Sequence, residues 1–212
     1  LKFIDGFTTN PSLMRKSKVK NYKKFALDVL KNVKNKPVSF EVFTDDISEM
    51  EKQAEIISKW GKNAFVKIPI CNTKGKSTHR LIEKLTKKGI KCNITAILTI
   101  NQIKKIYKFI SPKTETILSV FCGRIADTGK DPLPTFRKAL KICRGKKNIK
   151  LLWASTRETL NIYQAESANG HIITVPYSIL EKLPLYKKNL NILTLETVKT
   201  FYKDAKNAKY YI

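Results

Sequence analysis

The chain has 212 residues, 42% of them hydrophobic, which is enough for one domain with a sizeable core and too few for two of ordinary size. Lys and Arg number 42 against 17 Asp and Glu, a formal net charge of +25, yet the lysines are spread along the chain ("KSKVKNYKK", "EKLTKKGIK", "RGKKNIK") rather than gathered in a tail. No arginine-rich stripe or aromatic–basic interleaving accompanies them, which argues for a solvated lysine-rich surface and against a nucleic-acid or other polyanion-binding module.

In chain order, short β-branched or apolar runs alternate with segments of helical apolar spacing. Strands are expected at Phe3–Thr8, Pro37–Phe43, Ala64–Ile70, Ile90–Thr95, Thr116–Phe121, Ile149–Ala154 and His171–Val175. Helices are expected at Asn21–Lys34, Ile47–Trp60, Ser77–Lys88, Ile100–Phe109, Pro132–Cys143 and Arg157–Asn169, with a C-terminal helix at about Leu195–Lys206. The connections are short and no linker stands out, so residues 1–212 read as a single α/β domain. Cys71, Cys92, Cys122 and Cys143 lack metal-ligand spacing, follow or sit in apolar stretches and are expected to be buried thiols. No metal site is expected. No signal-peptide pattern opens the sequence and no apolar run approaches the ~18 residues of a membrane span, so a cytoplasmic protein without membrane contact is expected.

Repeated βα units fit either an open doubly wound sheet or a (β/α)8 barrel. The polar residues favour the barrel, because they stand at the carboxyl ends of many strands: Thr8, Thr9 and Asn10; Glu41; Lys67; Asn93 and Thr95; Ser119; Ser155 and Arg157. A doubly wound fold would gather them at one switch point and carry a Gly-rich phosphate turn, which this sequence lacks.

Lys67 interrupts the apolar run "AFVKIPI". Strand alternation puts Phe65, Lys67 and Pro69 on one face and Val66, Ile68 and Ile70 on the other. An amine buried among apolar groups tends to lose its proton and become a nucleophile. A strand-end lysine can instead snorkel to water or pair with a carboxylate. Glu41, in "SFEVF" one strand earlier, can be that partner or a proton-transfer group for an amine-bound intermediate.

These segments resemble the transaldolases and the related fructose-6-phosphate aldolases. "GFTTNPSLM" (6–14) is similar to the family's TTNPS motif, "SFEV" (39–42) to its acidic third-strand segment and "VKIP" (66–69) to its Schiff-base lysine segment. "CNITAI" (92–97), "SVFCGRIADTG" (119–129) and "WASTRE" (153–158) resemble the family's fifth-, sixth- and seventh-strand motifs. The resemblance implies a TIM (β/α)8 barrel and a dihydroxyacetone transfer from a ketose phosphate to an aldose phosphate through a lysine imine, with no metal or organic cofactor. It implies Lys67 as the Schiff-base lysine, Glu41 as the acid/base group working through a water, and Thr95 as a holder of that water. Asn10, Asn93 and Ser119 would face the dihydroxyacetone unit. Arg124, Arg157 and Ser155, the last expected at the start of a helix, would take the phosphate, while Arg124 could alternatively pair with Asp127. Arg15, Arg80, Arg137 and Arg144 are expected on solvated positions.

The family's first βα unit, whose strand carries an aspartate, has no counterpart in this sequence, which puts activity of the chain in doubt; Asp5 does not match that role. Glutamate at position 41 resembles transaldolases more than fructose-6-phosphate aldolases, where glutamine is usual. "VKIPICNTKGKS" and "GRIADTGKDP" also resemble transaldolase-like proteins of surface-polysaccharide biosynthesis. The family's short members imply a homo-oligomer built through the C-terminal helix.

Overall fold

The computed structural model describes residues 3–211. The chain divides into two compact units, one ending at Val175 and one beginning at Pro176. In the first, β1 (Phe7–Thr8) leads through α1 (Pro11–Lys16) and α2 (Tyr22–Asn32) to β2 (Val38–Glu41), α3 (Ile47–Ser58) and β3 (Ala64–Pro69). The alternation continues with α4 (His79–Lys87), β4 (Cys92–Ile97), α5 (Ile100–Tyr107), β5 (Thr116–Val120) and α6 (Cys122–Ala126). It ends with α7 (Leu133–Cys143), β6 (Ile149–Trp153), α8 (Leu160–Ser167) and β7 (Ile172–Ile173).

Among the described residues all seven strands are parallel and lie in sequence order, β1 to β7. Each strand is therefore followed by helix that returns the chain to the same end, the repeating unit of a TIM-type α/β barrel. The sheet curls, and the carboxyl ends of its first and last strands meet where Thr8 Oγ1 lies 2.8 Å from Thr174 Oγ1. Every strand thus delivers the residues at its carboxyl end to one rim.

The two faces of the sheet bury different sets of side chains. Val66, Ile68 and Ile70 of the β3 region join Phe40, Ile94, Leu118 and Trp153 in the layer between sheet and helices. Phe65, Ile117, Leu152 and Ala154 form a smaller cluster on the opposite, interior face. The alternation expected for residues 64–70 is the one observed. Large side chains such as Phe40, Met50, Ile68 and Trp153 are less than 2% exposed, and each contributes about 1.5–3 kcal/mol through burial. Local signals fix the helix starts: Asn10, Asn21 and Asp46 accept backbone N–H groups at the starts of α1, α2 and α3, and Thr99 with Gln102 forms a capping box on α5.

Differences from the sequence reading are local. β1 and β7 are two residues each, shorter than the expected Phe3–Thr8 and His171–Val175, because a strand at either end of the sheet has one neighbour to hold it. The short helices α1 and α6 are additional to the expected elements. Cys92, Cys122 and Cys143 are buried, and burial pushes the Cys92 and Cys143 thiols up to about 12 and about 11. Cys71 is only half-buried, since it lies two residues past the end of β3 and turns into the hairpin that brings it against Ser77. His171 accepts the Leu151 N–H through Nδ1 at 3.0 Å, a packing role for an isolated histidine.

The second unit holds α9 (Tyr177–Leu180), a 3-10 turn at Leu183–Leu185 and α10 (Leu190–Ala208). α10 is longer than the expected Leu195–Lys206 because Asn189 caps it one turn earlier, accepting the Asn191 and Ile192 N–H groups. It presents exposed Leu190, Leu195, Val198, Phe201 and Tyr202. Among the described residues no helix is long and apolar enough to cross a membrane.

Candidate active site

The rim at the carboxyl ends of β1 to β6 carries the polar residues singled out above. In the register of the sheet Glu41 pairs with Lys67, Lys67 with Asn93, and Pro69 with Thr95. Parallel pairing therefore sets these side chains side by side, and alternation sends them to the interior face with Phe65.

Lys67 Nζ lies 3.1 Å from Glu41 Oε2, with both side chains mostly buried at 10% and 17% exposure. It also donates to the Thr9 carbonyl at 3.0 Å. Of the two possibilities raised for Glu41, this geometry shows the ion-pair partner. A charge pair this far from solvent persists only where hydrogen bonds satisfy its remaining polar valences.

A polar chain extends from the pair. Asn93 donates through Nδ2 to Ser39 Oγ at 3.0 Å and accepts the Ser119 hydroxyl at 2.7 Å. Thr9 donates its hydroxyl to the Ser39 carbonyl at 2.9 Å. Thr95 is buried on the same face, and its hydroxyl has no hydrogen-bond partner among the described residues. Asn10 holds its Oδ1 on the Leu13 N–H at 2.9 Å and so opens α1; its amide group stands at the same rim, next to Thr9.

A second cluster forms past β5 and β6. Gly123 lies so close to the β6 loop that a Cβ there would be 1.6 Å from the Ser155 carbonyl oxygen. Ser155 itself has φ +63, the left-handed region. This contact brings the segment of Arg124 against the segment of Arg157. Arg157 pairs with Asp127 at 2.5 Å, whereas Arg124 lies over the Phe121 ring at 5.5 Å. The alternative Arg124–Asp127 pair is thus replaced by one with Arg157. Both guanidinium groups are solvent-exposed, as are Arg15, Arg80, Arg137 and Arg144. Ser155 does not open a helix as expected: α8 begins at Leu160. Residues 156–159 instead form a loop, tied by the Thr156 hydroxyl to the Thr174 carbonyl and by Asn161 Oδ1 accepting the Arg157 and Glu158 N–H groups.

Sequence reasoning missed Ser39, Gly123, Asn161 and Tyr22 as parts of this region. Ser39 shares the strand face of Glu41 and was legible from the period of two. Gly123 acts through backbone approach, Asn161 through capping and Tyr22 through a hydroxyl donated to the distant Glu41 carbonyl, none of which one sequence displays. Among the described residues no group of three His, Cys, Asp or Glu side chains gathers as a metal site would require.

Fold and site together define an α/β-barrel protein whose rim carries an interior lysine–carboxylate pair flanked by a hydrogen-bonding amide chain and two arginines. The family model described as transaldolase/fructose-6-phosphate aldolase matches residues 1–211. A probable transaldolase of Herpetosiphon aurantiacus is 30% identical over 202 residues, covering 95% of this chain and 85% of that protein. Probable transaldolase 2 of Listeria monocytogenes is 32% identical, covering 90% and 84%, and a probable transaldolase of a Thermoanaerobacter strain is 32% identical, covering 86% and 81%. The chain belongs to the transaldolase/fructose-6-phosphate aldolase family.

Proposed function

We propose that this chain is a transaldolase acting through an imine on Lys67. The observation that carries the reading is the interior Lys67–Glu41 pair at 3.1 Å, set among Thr9, Asn93 and Ser119 on one rim. In this mechanism the Lys67 amine adds to the ketone carbon of fructose 6-phosphate or sedoheptulose 7-phosphate, and loss of water leaves an iminium. Glu41, through a water held with the Thr95 hydroxyl, accepts the proton of the C4 hydroxyl. The C3–C4 bond then breaks, its electron pair moving into the iminium, and an aldose phosphate departs. The lysine-bound dihydroxyacetone enamine adds to a second aldose phosphate, and hydrolysis returns the free amine.

Asn10, Asn93 and Ser119 bond the dihydroxyacetone hydroxyls in this reading. Arg124, Arg157 and Ser155 hold the phosphate, the two guanidinium groups offering forked donors to its oxygens. We assign the enzyme to carbohydrate metabolism in the cytoplasm, with the pentose phosphate sugars as substrates. The exposed apolar residues of α10 support a homo-oligomer assembled through that helix; a monomeric sedimentation coefficient for the whole protein would sink this part.

The test is borohydride reduction with fructose 6-phosphate, followed by peptide mass mapping. A dihydroxyacetone-derived adduct on Lys67, absent from Lys67→Ala, is expected. An adduct-free protein refutes the imine mechanism. A fructose-6-phosphate aldolase is the second reading, since the family model spans both activities; Glu41 favours the transferase. Free dihydroxyacetone accumulating without any aldose acceptor would reverse that preference.

A further inference from the structure

The rim contains a gap in the β1–β2 ladder that a side chain from a helix fills. Alternate carbonyls of β2 and its flanks face β1. Phe7 N–H donates to the Pro37 carbonyl at 2.8 Å and Thr9 N–H to the Ser39 carbonyl at 3.0 Å. The opposite set faces β3, with Val38 N–H bonded to the Asn63 carbonyl and Val42 N–H to the Lys67 carbonyl. By this period of two, the next β1-side acceptor is the Glu41 carbonyl and the next donor is residue 11. Asn10 is still extended, with φ −153 and ψ 159, so the ladder would continue. Residue 11 is proline and has no N–H.

Tyr22 occupies the vacated position. Its hydroxyl donates to the Glu41 carbonyl at 3.1 Å. The ring is wedged by Phe43 at 4.4 Å, by Trp60 at 5.3 Å and by Phe40 at 6.2 Å between ring centres. A rigidly held hydroxyl is a better tether than a solvated one, because its rotamer freedom is already spent in packing. Burial pushes the phenol up from 10.0 to about 12, so it keeps its proton through the physiological range. Without it, the last peptide of β2 would lose its hydrogen bond on the β1 side, at the residue whose carboxylate holds Lys67.

We propose that Tyr22 is a positioning residue: by supplying the hydrogen bond that Pro11 cannot, it fixes Glu41 opposite Lys67. The inference rests on the Lys67 imine reading for its catalytic consequence, and on geometry alone for the placement of Glu41. The same aromatic wedge explains why the TTNPS segment can end its strand with a proline at the edge of the site without loosening the acid/base group next to it.

Tyr22→Phe tests this, since it removes one oxygen and leaves the ring packing intact. Two measurements are made on the whole protein. In steady state with fructose 6-phosphate and erythrose 4-phosphate, kcat falls about 10-fold while KM changes less than about twofold, the signature of a group needed in the transition state more than in binding. In competitive labelling with acetic anhydride at pH 8, Lys67 reacts several-fold faster relative to exposed Lys138, because a displaced Glu41 shields the amine less. A simple loss of stability would lower the folded fraction, reducing kcat at most in proportion, and would not single out Lys67. Unchanged Lys67 labelling together with unchanged kcat overturns the proposal, as does a kcat loss accounted for by the unfolded fraction. Labelling needs no turnover, so a wild-type protein that yields no reduced adduct refutes the imine reading while the labelling ratio still decides the role of Tyr22.

Discussion

Gly123→Ala is the sharpest perturbation of the arginine end of the site, where the proposed mechanism puts the phosphate. A Cβ at position 123 would stand 1.6 Å from the Ser155 carbonyl oxygen and 2.7 Å from its carbonyl carbon, where real contacts begin near 3.0 Å. The obstacle is backbone, so no rotamer change relieves it. α6 and the loop 155–159 must separate by well over an ångström, and Arg124 and Arg157 ride on the two parts that separate. Overpacking of this kind costs about 1–3 kcal/mol of stability. The larger effect falls on catalysis, since a misplacement of about 1 Å can cost on the order of 100-fold in rate. The assay compares two substrates of the same protein. Turnover of fructose 6-phosphate, which needs both arginines in the proposed mechanism, falls about 100-fold. Formation of the reduced adduct with unphosphorylated dihydroxyacetone, which needs only the Lys67 end, falls less than about threefold. Equal losses on both substrates would show that the glycine serves folding rather than phosphate geometry, and retention of fructose 6-phosphate turnover within about threefold would refute the close-approach argument outright.

Two further outcomes follow from named contacts. The Tyr22 phenol is held at about 12 against an ordinary 10.0, burial being the chief cause and the Glu41 charge a lesser one. A group raised in the folded state contributes fully below its unfolded value and loses that contribution as pH rises toward the folded one. Between pH 9 and pH 11, wild type should therefore lose about 1 kcal/mol more stability in urea unfolding than Tyr22→Phe; parallel losses in the two proteins would contradict the burial of this hydroxyl. Asp127→Asn removes the carboxylate that engages Arg157 at 2.5 Å. The pair is half-exposed and worth about 0.2–1 kcal/mol, so KM for the sugar phosphate should fall, by no more than about fivefold, as the guanidinium is freed; a rise in KM would mean that Asp127 orients Arg157 instead of competing for it.

Glu41 and Lys67 show how far a sequence can be read. Their strands, their face and their rim were all legible, because a period of two along a strand and the carboxyl-end rule of parallel barrels are local consequences of backbone geometry. The same carboxyl-end pattern marked Asn93, Thr95 and Ser119 for the rim. The order of six short motifs carried the family, which the comparisons then established. What local pattern could not carry was the partner of each group. Arg157 rather than Arg124 takes Asp127, because the left-handed Ser155 and the bare Gly123 bring two distant loops into contact. Ser155 sits in a loop and not at a helix start, because Asn161 and Thr174 hold residues 156–159 against the strand ends. Tyr22, fifteen residues after the start of β1, completes a hydrogen-bond ladder that the sequence alone shows only as a proline.

Sequence by itself determined the alternation of strands and helices, the single rim on which chemistry gathers and the residue types placed there. Tertiary structure alone decided which polar atoms meet. Periodicity is a property of one strand or helix, whereas a hydrogen bond between segments depends on register, twist and backbone approach across the whole sheet, and those are fixed only when the strands have assembled around their core.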